Sequence, residues 1–225
     1  MKTLKLLAVL LSYPSAELVA ALPELARRLG GDRSLRRGTQ DALAGLLAEL
    51  KRDDLLDLQE RYVAQFDTGR STSLHLFEHV HGDSRDRGQA MVDLRAMYQR
   101  AGYSLATNEL PDFLPAVLEY LSTRTAEQAH EILDDCAHIL RAVGERLLDG
   151  GSPYAAVFAA LLDVHGEAPL VAGRSKAGME RSLDEEWQDA PVEFGPPGPM
   201  AADHGAQQSR PQFIRFVPKR DVPNP

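Results

Sequence analysis

The chain has almost no cysteine, a single tryptophan and no excess of positive charge, and each shortage removes a class of protein. One thiol, Cys136, cannot form an internal disulfide framework, which fits a reducing compartment. A net charge of −8 gives phosphate backbones no basic footprint, so duplex nucleic acid is excluded as a partner, and with it a transcriptional regulator. No apolar run approaches the ~20 residues of a membrane span, so no stable membrane insertion is expected. The apolar run Leu6–Leu11 is shorter than the ~7–15 residues of a signal-peptide core. Tyr13 and Pro14 stand where small residues would be needed, so the start reads as a buried first helix of a cytoplasmic protein. Glycine-rich phosphate loops, nucleophile elbows and paired C-x-x-C cysteines are all missing. Nothing therefore suggests ATP or dinucleotide binding, and whatever the chain does is expected to be independent of ATP.

What is present is helical periodicity. Apolar residues recur at a spacing of about 3.6 through most of the first 166 residues, and no segment alternates with a period of two. The fold class is all-α, a single compact domain of about eight helices spanning residues 1–166. Tyr13-Pro14 ends the first helix and Ser15 caps the second, which Pro23 kinks and Gly30-Gly31 closes. Thr39 is expected to cap the third, Asp53 or Asp54 to start the fourth, and Met91, Leu94, Tyr98 and Ala101 to mark the fifth. Pro111 suits the first turn of a sixth, although Pro115 argues for a bend or a late start. Thr125 caps the longest helix, which carries Cys136 on its apolar stripe, and Ser152-Pro153 opens the last. Nine of the fourteen prolines fall in residues 167–225, where periodicity disappears. That segment reads as a largely disordered tail with two short aromatic motifs, Asp184–Phe194 around Trp187 and Gln212–Val217.

One stretch holds more chemistry than burial requires. From Tyr62 to Gly88 the chain concentrates aromatics, three histidines and both signs of charge in a connection between helices. His75, His79 and His81 raise a metal-binding alternative, a small helical metal-binding protein. Yet His75 and His79 share a face only if the segment is helical, and zinc wants three or four ligands of fixed geometry. Polar partners around a loop are the competing role. Glu127-x-x-His130 imitates half of a di-iron site, but its second half is missing and its helix face is polar. In Gly82–Gly88, Asp83 or Ser84 can cap the following helix, whereas Arg85 and Arg87 oppose its dipole. The cluster is either a local ion-pair network with Asp83 and Asp86 or a set of donors for a partner's carboxylates and carbonyls.

The same residues carry a family resemblance. Tyr62, Phe66-Asp67, Gly69-Arg70, Thr72-Ser73-Leu74, Leu76-Phe77-Glu78-His79-Val80-His81-Gly82 and Ser84-Arg85-Asp86-Arg87-Gly88-Gln89-Ala90-Met91-Val92 resemble the NarJ family. Glu109-Leu110-Pro111-Asp112, Leu114-Pro115 and Leu118-Glu119-Tyr120-Leu121-Ser122 are similar to its second hallmark, and Leu11, Tyr13 and Pro14 to its N-terminal one. Thr68 departs from it, and the tail matches loosely at Trp187, Val192 and Phe194. The resemblance implies a TorD-like helical fold and a cytoplasmic, client-specific assembly chaperone of respiratory nitrate reductase. It implies binding to the N-terminal segment of the catalytic α subunit, with the αβ complex and cofactor-delivery proteins as further partners. It also implies help with inserting the molybdenum bis-guanine-dinucleotide cofactor, which such chaperones do not retain, and delay of membrane docking until the complex is mature. On this reading Tyr62, Phe66, Phe77 and Tyr98 give a client apolar contact, and Glu78, Asp83 and Asp86 meet its positive charges. His79 and His81 lie among them, and Arg85 and Arg87 order the loop and cap client carbonyls. Helical spacing equally allows Tyr62, Phe66 and Tyr98 to be core.

Overall fold

The computed structural model describes residues 2–81, 86–105, 109–173 and 217–218. Among these, nine α-helices follow one another: α1 (Lys2–Leu10), α2 (Ala16–Gly30), α3 (Arg37–Arg52), α4 (Leu55–Phe66), α5 (Leu76–His81), α6 (Asp86–Arg100), α7 (Leu114–Ser122), α8 (Ala126–Asp149) and α9 (Ala155–His165). A 3-10 turn, Arg70–Thr72, joins α4 to α5. Two short strands, β1 (Tyr103–Ser104) and β2 (Val217–Pro218), pair antiparallel, so the class remains all-α. Among the described residues no helix is long and apolar enough to cross a membrane.

The core gathers around α9, whose apolar residues occupy every side, as befits a helix surrounded by others. α8 and α1 pack on it, α7 lies on α1, and α3 bridges α9 to α2. The leucines of the stripes, among them Leu4, Leu7, Leu43, Leu118 and Leu140, are buried there, and each stabilises the fold by about 1.5–3 kcal/mol on a transfer scale. Three caps stand where side-chain chemistry places them. Ser15 Oγ accepts from the Leu18 amide at 3.2 Å and Asp54 Oδ1 from the Leu56 amide at 2.9 Å. Thr125 and Gln128 form a reciprocal capping box that starts α8. At the far end of α9, Gly166 adopts φ 91°, the left-handed turn that closes a helix at little cost for glycine alone.

One helix starts elsewhere than expected, one takes the later of its expected starts and one is additional, each for a tertiary reason. α3 begins at Arg37 rather than after a Thr39 cap, and Thr39 is buried inside the first turn. The Arg36 amide donates to Asp163 Oδ2 at 2.7 Å and its guanidinium pairs with the same carboxylate, so α9 fixes the entry to α3. α7 takes the late start, at Leu114 with Pro115 in the first turn, because residues 109–113 are held beside α5. α5 is the additional helix, lying inside the stretch read as a loop.

The body also holds the chain past Gly166. Arg141 donates to Glu167 Oε2 and to the carbonyls of Ala168 and Pro169, Arg36 donates to the Glu167 carbonyl, and the Gly173 amide donates to Asp149. Leu170 packs against the core. The expected disorder and the aromatic motifs of the tail fall, apart from residues 167–173 and Val217–Pro218, outside the described residues.

Candidate functional site

The singled-out stretch starts in the core. Tyr62 and Phe66 lie on the inner face of α4, each 3% exposed, and Tyr98 on α6 is 1% exposed. The Tyr62 hydroxyl donates to the Leu11 carbonyl at 2.7 Å, and the Tyr98 hydroxyl donates to the Pro111 carbonyl at 2.8 Å. Burial raises both phenols well above their ordinary pKa, so each stays a neutral donor. Of the two roles open to these three rings, the structure places them in the core.

The next segment meets the 109–114 hallmark edge to edge. The Leu114 amide donates to the Leu74 carbonyl at 2.8 Å and the Leu76 amide to the Asp112 carbonyl at 3.1 Å, with His75 and Phe113 forming an antiparallel bridge. The fully buried Asp112 carboxylate accepts from the Phe77 amide at 3.0 Å through Oδ2 and from His75 Nδ1 at 3.3 Å through Oδ1. Against this carboxylate oxygen, Nδ1 acts as the donor. Burial works against a charged His75, but the hydrogen bond and charge of Asp112, with smaller contributions from Glu78 and Glu109, outweigh it and raise the pKa.

That sign sets a pH dependence. A histidine whose folded pKa is raised stabilises the protein fully below its unfolded value, about 6.5. The contribution disappears as pH climbs through the raised folded value. Thermal unfolding from about pH 6 upward is expected to show wild type losing more stability than His75→Gln, which lacks the titrating ring. Parallel pH profiles for the two proteins would remove this coupling.

Six-residue α5 then carries Phe77, Glu78, His79 and His81. His79 Nε2 donates to the Ser73 carbonyl at 2.9 Å, while the His81 and Phe77 rings meet edge to face at 5.6 Å. The three histidines thus turn to three different partners: a carboxylate, a carbonyl and an aromatic ring. No group of three or more metal-ligating side chains occurs among the described residues. Glu78 accepts from Arg87 on α6 at 3.1 Å. Burial would raise the Glu78 pKa, but its bonds with Ser73 and Arg87 prevail and hold the carboxyl below its ordinary value. Asp86 is exposed in the first turn of α6; Asp83 and Arg85 lie outside the described residues.

α6 is unlike the other helices of its length. Of its 15 residues only Tyr98 is buried; Met91, Leu94 and Met97 are half-covered and Val92 is 60% exposed. Val80 on α5, 54% exposed, and Leu110, 44% exposed, belong to the two segments beside it. Flexible methionines and open valines next to carboxylates form a seam that an amphipathic partner can complete.

Asp112 and His75 are the residues that sequence reasoning missed as a unit. Their signal was a carboxylate set between two prolines in an apolar run. Cys136, by contrast, is the packed thiol its stripe position implied, with burial pushing its pKa up to about 12.

The helical architecture defines a class. It is shared with a solved structure, a putative redox enzyme maturation protein from Archaeoglobus fulgidus, at a TM-score of 0.52 and 22% identity, covering 70% of this chain and 88% of that one. The family described as nitrate reductase delta subunit matches residues 32–160, and the chain belongs to this family, that of NarJ. It is 41% identical over 192 residues to the nitrate reductase molybdenum cofactor assembly chaperone NarJ of Escherichia coli K12, covering 82% of this chain and 81% of that protein. A probable chaperone of the same kind from that strain, NarW, is 40% identical over 86% of this chain and 84% of its own. A probable NarJ from Bacillus subtilis is 30% identical, covering 71% and 86%.

Proposed function

We propose that the protein is an ATP-independent assembly chaperone of respiratory nitrate reductase, with no catalytic activity of its own. In this reading it receives the N-terminal segment of the catalytic α subunit along the α5–α6 seam in the cytoplasm. It assists molybdenum cofactor insertion into that client without keeping the cofactor, and holds the αβ complex from the membrane until mature. The family membership and the names of the relatives support the chaperone role.

The observation that carries the receptor role is the incomplete cover of α6, a helix that buries one residue in fifteen. Phe77, Met91, Leu94 and Met97 supply half-covered apolar area, and the exposed Asp86 and Asp93 supply negative charge beside it, interspersed with Arg95 and Arg100, while Glu78 is paired with Arg87. Together they suit a basic amphipathic helix laid in a groove. Tyr98 anchors that surface from its buried side through the Pro111 carbonyl, whereas Tyr62 and Phe66 pack against Tyr13 and Tyr154.

Titration with a peptide copying the first ~15–40 residues of the α subunit tests the reading, that span being enough for a helix-in-groove ligand. Saturable binding is expected, with amide shifts concentrated in residues 76–100. A folded protein that shows no binding between about pH 6 and 8, the range in which histidines change charge, would end the peptide-receptor mechanism.

A further inference from the structure

We infer that Asp112 is the positioning residue of the recognition surface: buried and out of a client's reach, it sets how α5 presents Glu78 and Val80. This rests on the peptide-receptor reading above and deepens it. α5 has six residues, far below the ~12–15 at which an isolated helix holds in water. Something outside the helix must satisfy its first amides and fix its rotation. Asp112 does both, through its carbonyl on the Leu76 amide and its Oδ2 on the Phe77 amide. Its other oxygen holds His75, whose ring lies 5.3 Å from that of Phe113, so the approach to α5 is clamped from both sides.

The orientation is passed on. With α5 so turned, Glu78 reaches Arg87, and among the described residues this pair is a charged link between α5 and the sparsely covered α6. An error of one residue in the rotation of α5 would swing Glu78 by about 100°, break the link and redirect Val80. Asp112 itself has no exposed area, so its effect on a client can only be indirect. The groups acting electrostatically on His75 are all carboxylates, those of Asp112, Glu78, Glu109 and Asp67, so neutralising Asp112 removes only the nearest of them.

The test compares Asp112→Ala, Asp112→Asn and a control, Leu140→Ala, a buried change on α8 outside this cluster. Peptide affinity and amide hydrogen exchange are measured on the full chain. Asp112→Ala is expected to weaken peptide binding by about tenfold, the equivalent of one charge-assisted hydrogen bond, and to speed exchange in residues 76–100 while α8 stays protected. Asp112→Asn keeps an acceptor for the Phe77 amide, so it should recover part of the affinity and flatten the pH profile that His75 imposes. Leu140→Ala should lower thermal stability with the affinity of the folded protein unchanged. The inference falls if Asp112→Ala binds like wild type, or if it loses binding and protection uniformly, as a merely destabilised protein would. Wild type that binds no peptide removes the receptor reading instead, and exchange in residues 76–81 then decides alone whether Asp112 positions α5.

Discussion

Tyr62→Ala is expected to lower the free energy of unfolding by roughly 3–5 kcal/mol, the range for deleting a large buried ring. Tyr62 is the hub of an aromatic cluster, 5.5 Å from Tyr13, 4.9 Å from Phe66 and 6.3 Å from Tyr154, ring centre to ring centre. Its hydroxyl also ties α4 to the Leu11 carbonyl at the end of α1. Leu58 and Phe66 are buried on the same face and Gln59 donates to the Pro14 carbonyl at 2.9 Å, so Tyr62 is the central anchor of several that hold α4 there. Tyr62→Phe keeps the packing but leaves that carbonyl without its donor, at an expected cost of about 1–2 kcal/mol. Denaturant unfolding of both variants, with peptide titration of the folded protein, separates core from contact. A Tyr62→Phe protein of near-normal stability that no longer bound peptide would make the hydroxyl a client ligand and reverse the assignment.

Tyr62 also marks where sequence reading stops. The stripe of α4 (Leu55, Leu58, Tyr62, Val63, Phe66) and the stripe of α6 (Met91, Leu94, Tyr98, Ala101) both have helical spacing, and both read as inward faces. On the first, Leu58, Tyr62 and Phe66 are buried while Leu55 is half-covered and Val63 exposed; on the second, Tyr98 alone is buried. Periodicity reports that a face is apolar, not how much protein arrives to cover it. The caps at Ser15, Asp54 and Thr125 were legible because a side chain and the amide it serves lie two or three residues apart. The start of α3 was not, because the Asp163 that fixes Arg36 is 127 residues away. α5 was hidden for a related reason. A six-residue helix has too little local signal of its own, and its amides depend on Asp112, 35 residues on from Phe77. The family resemblance drew attention to the stretch, but motifs do not tell supports from surfaces.

Gly144 gives a second large effect, because here α8 allows no side chain at all. A Cβ on Gly144 would stand 2.8 Å from the Cβ of Phe158 and 2.9 Å from Cδ2 of Leu170. Leu170 can swing its methyl away, but the Phe158 Cβ is fixed to the backbone of α9, so the two helices would have to separate. Overpacking of this kind costs about 1–3 kcal/mol. Gly144→Ala already makes this clash, and the helix propensity it regains, up to about 1 kcal/mol, offsets only part of the cost, so it too should be destabilising. Gly144→Val adds two methyls to the same space and should reach the upper limit, near 3 kcal/mol. The strain divides between two neighbours, so Gly144→Val/Leu170→Ala should recover the part owed to Leu170, a coupling of about 0.5–3 kcal/mol for residues in contact. Leu170 also anchors residues 167–173, where Arg141 and Arg36 hold the backbone through Glu167, Ala168 and Pro169. Gly144→Val should therefore make the chain just after Gly166 more sensitive to limited proteolysis than wild type. Equal proteolysis of the two proteins, with the stability loss present, would mean that the arginines hold this segment without Leu170.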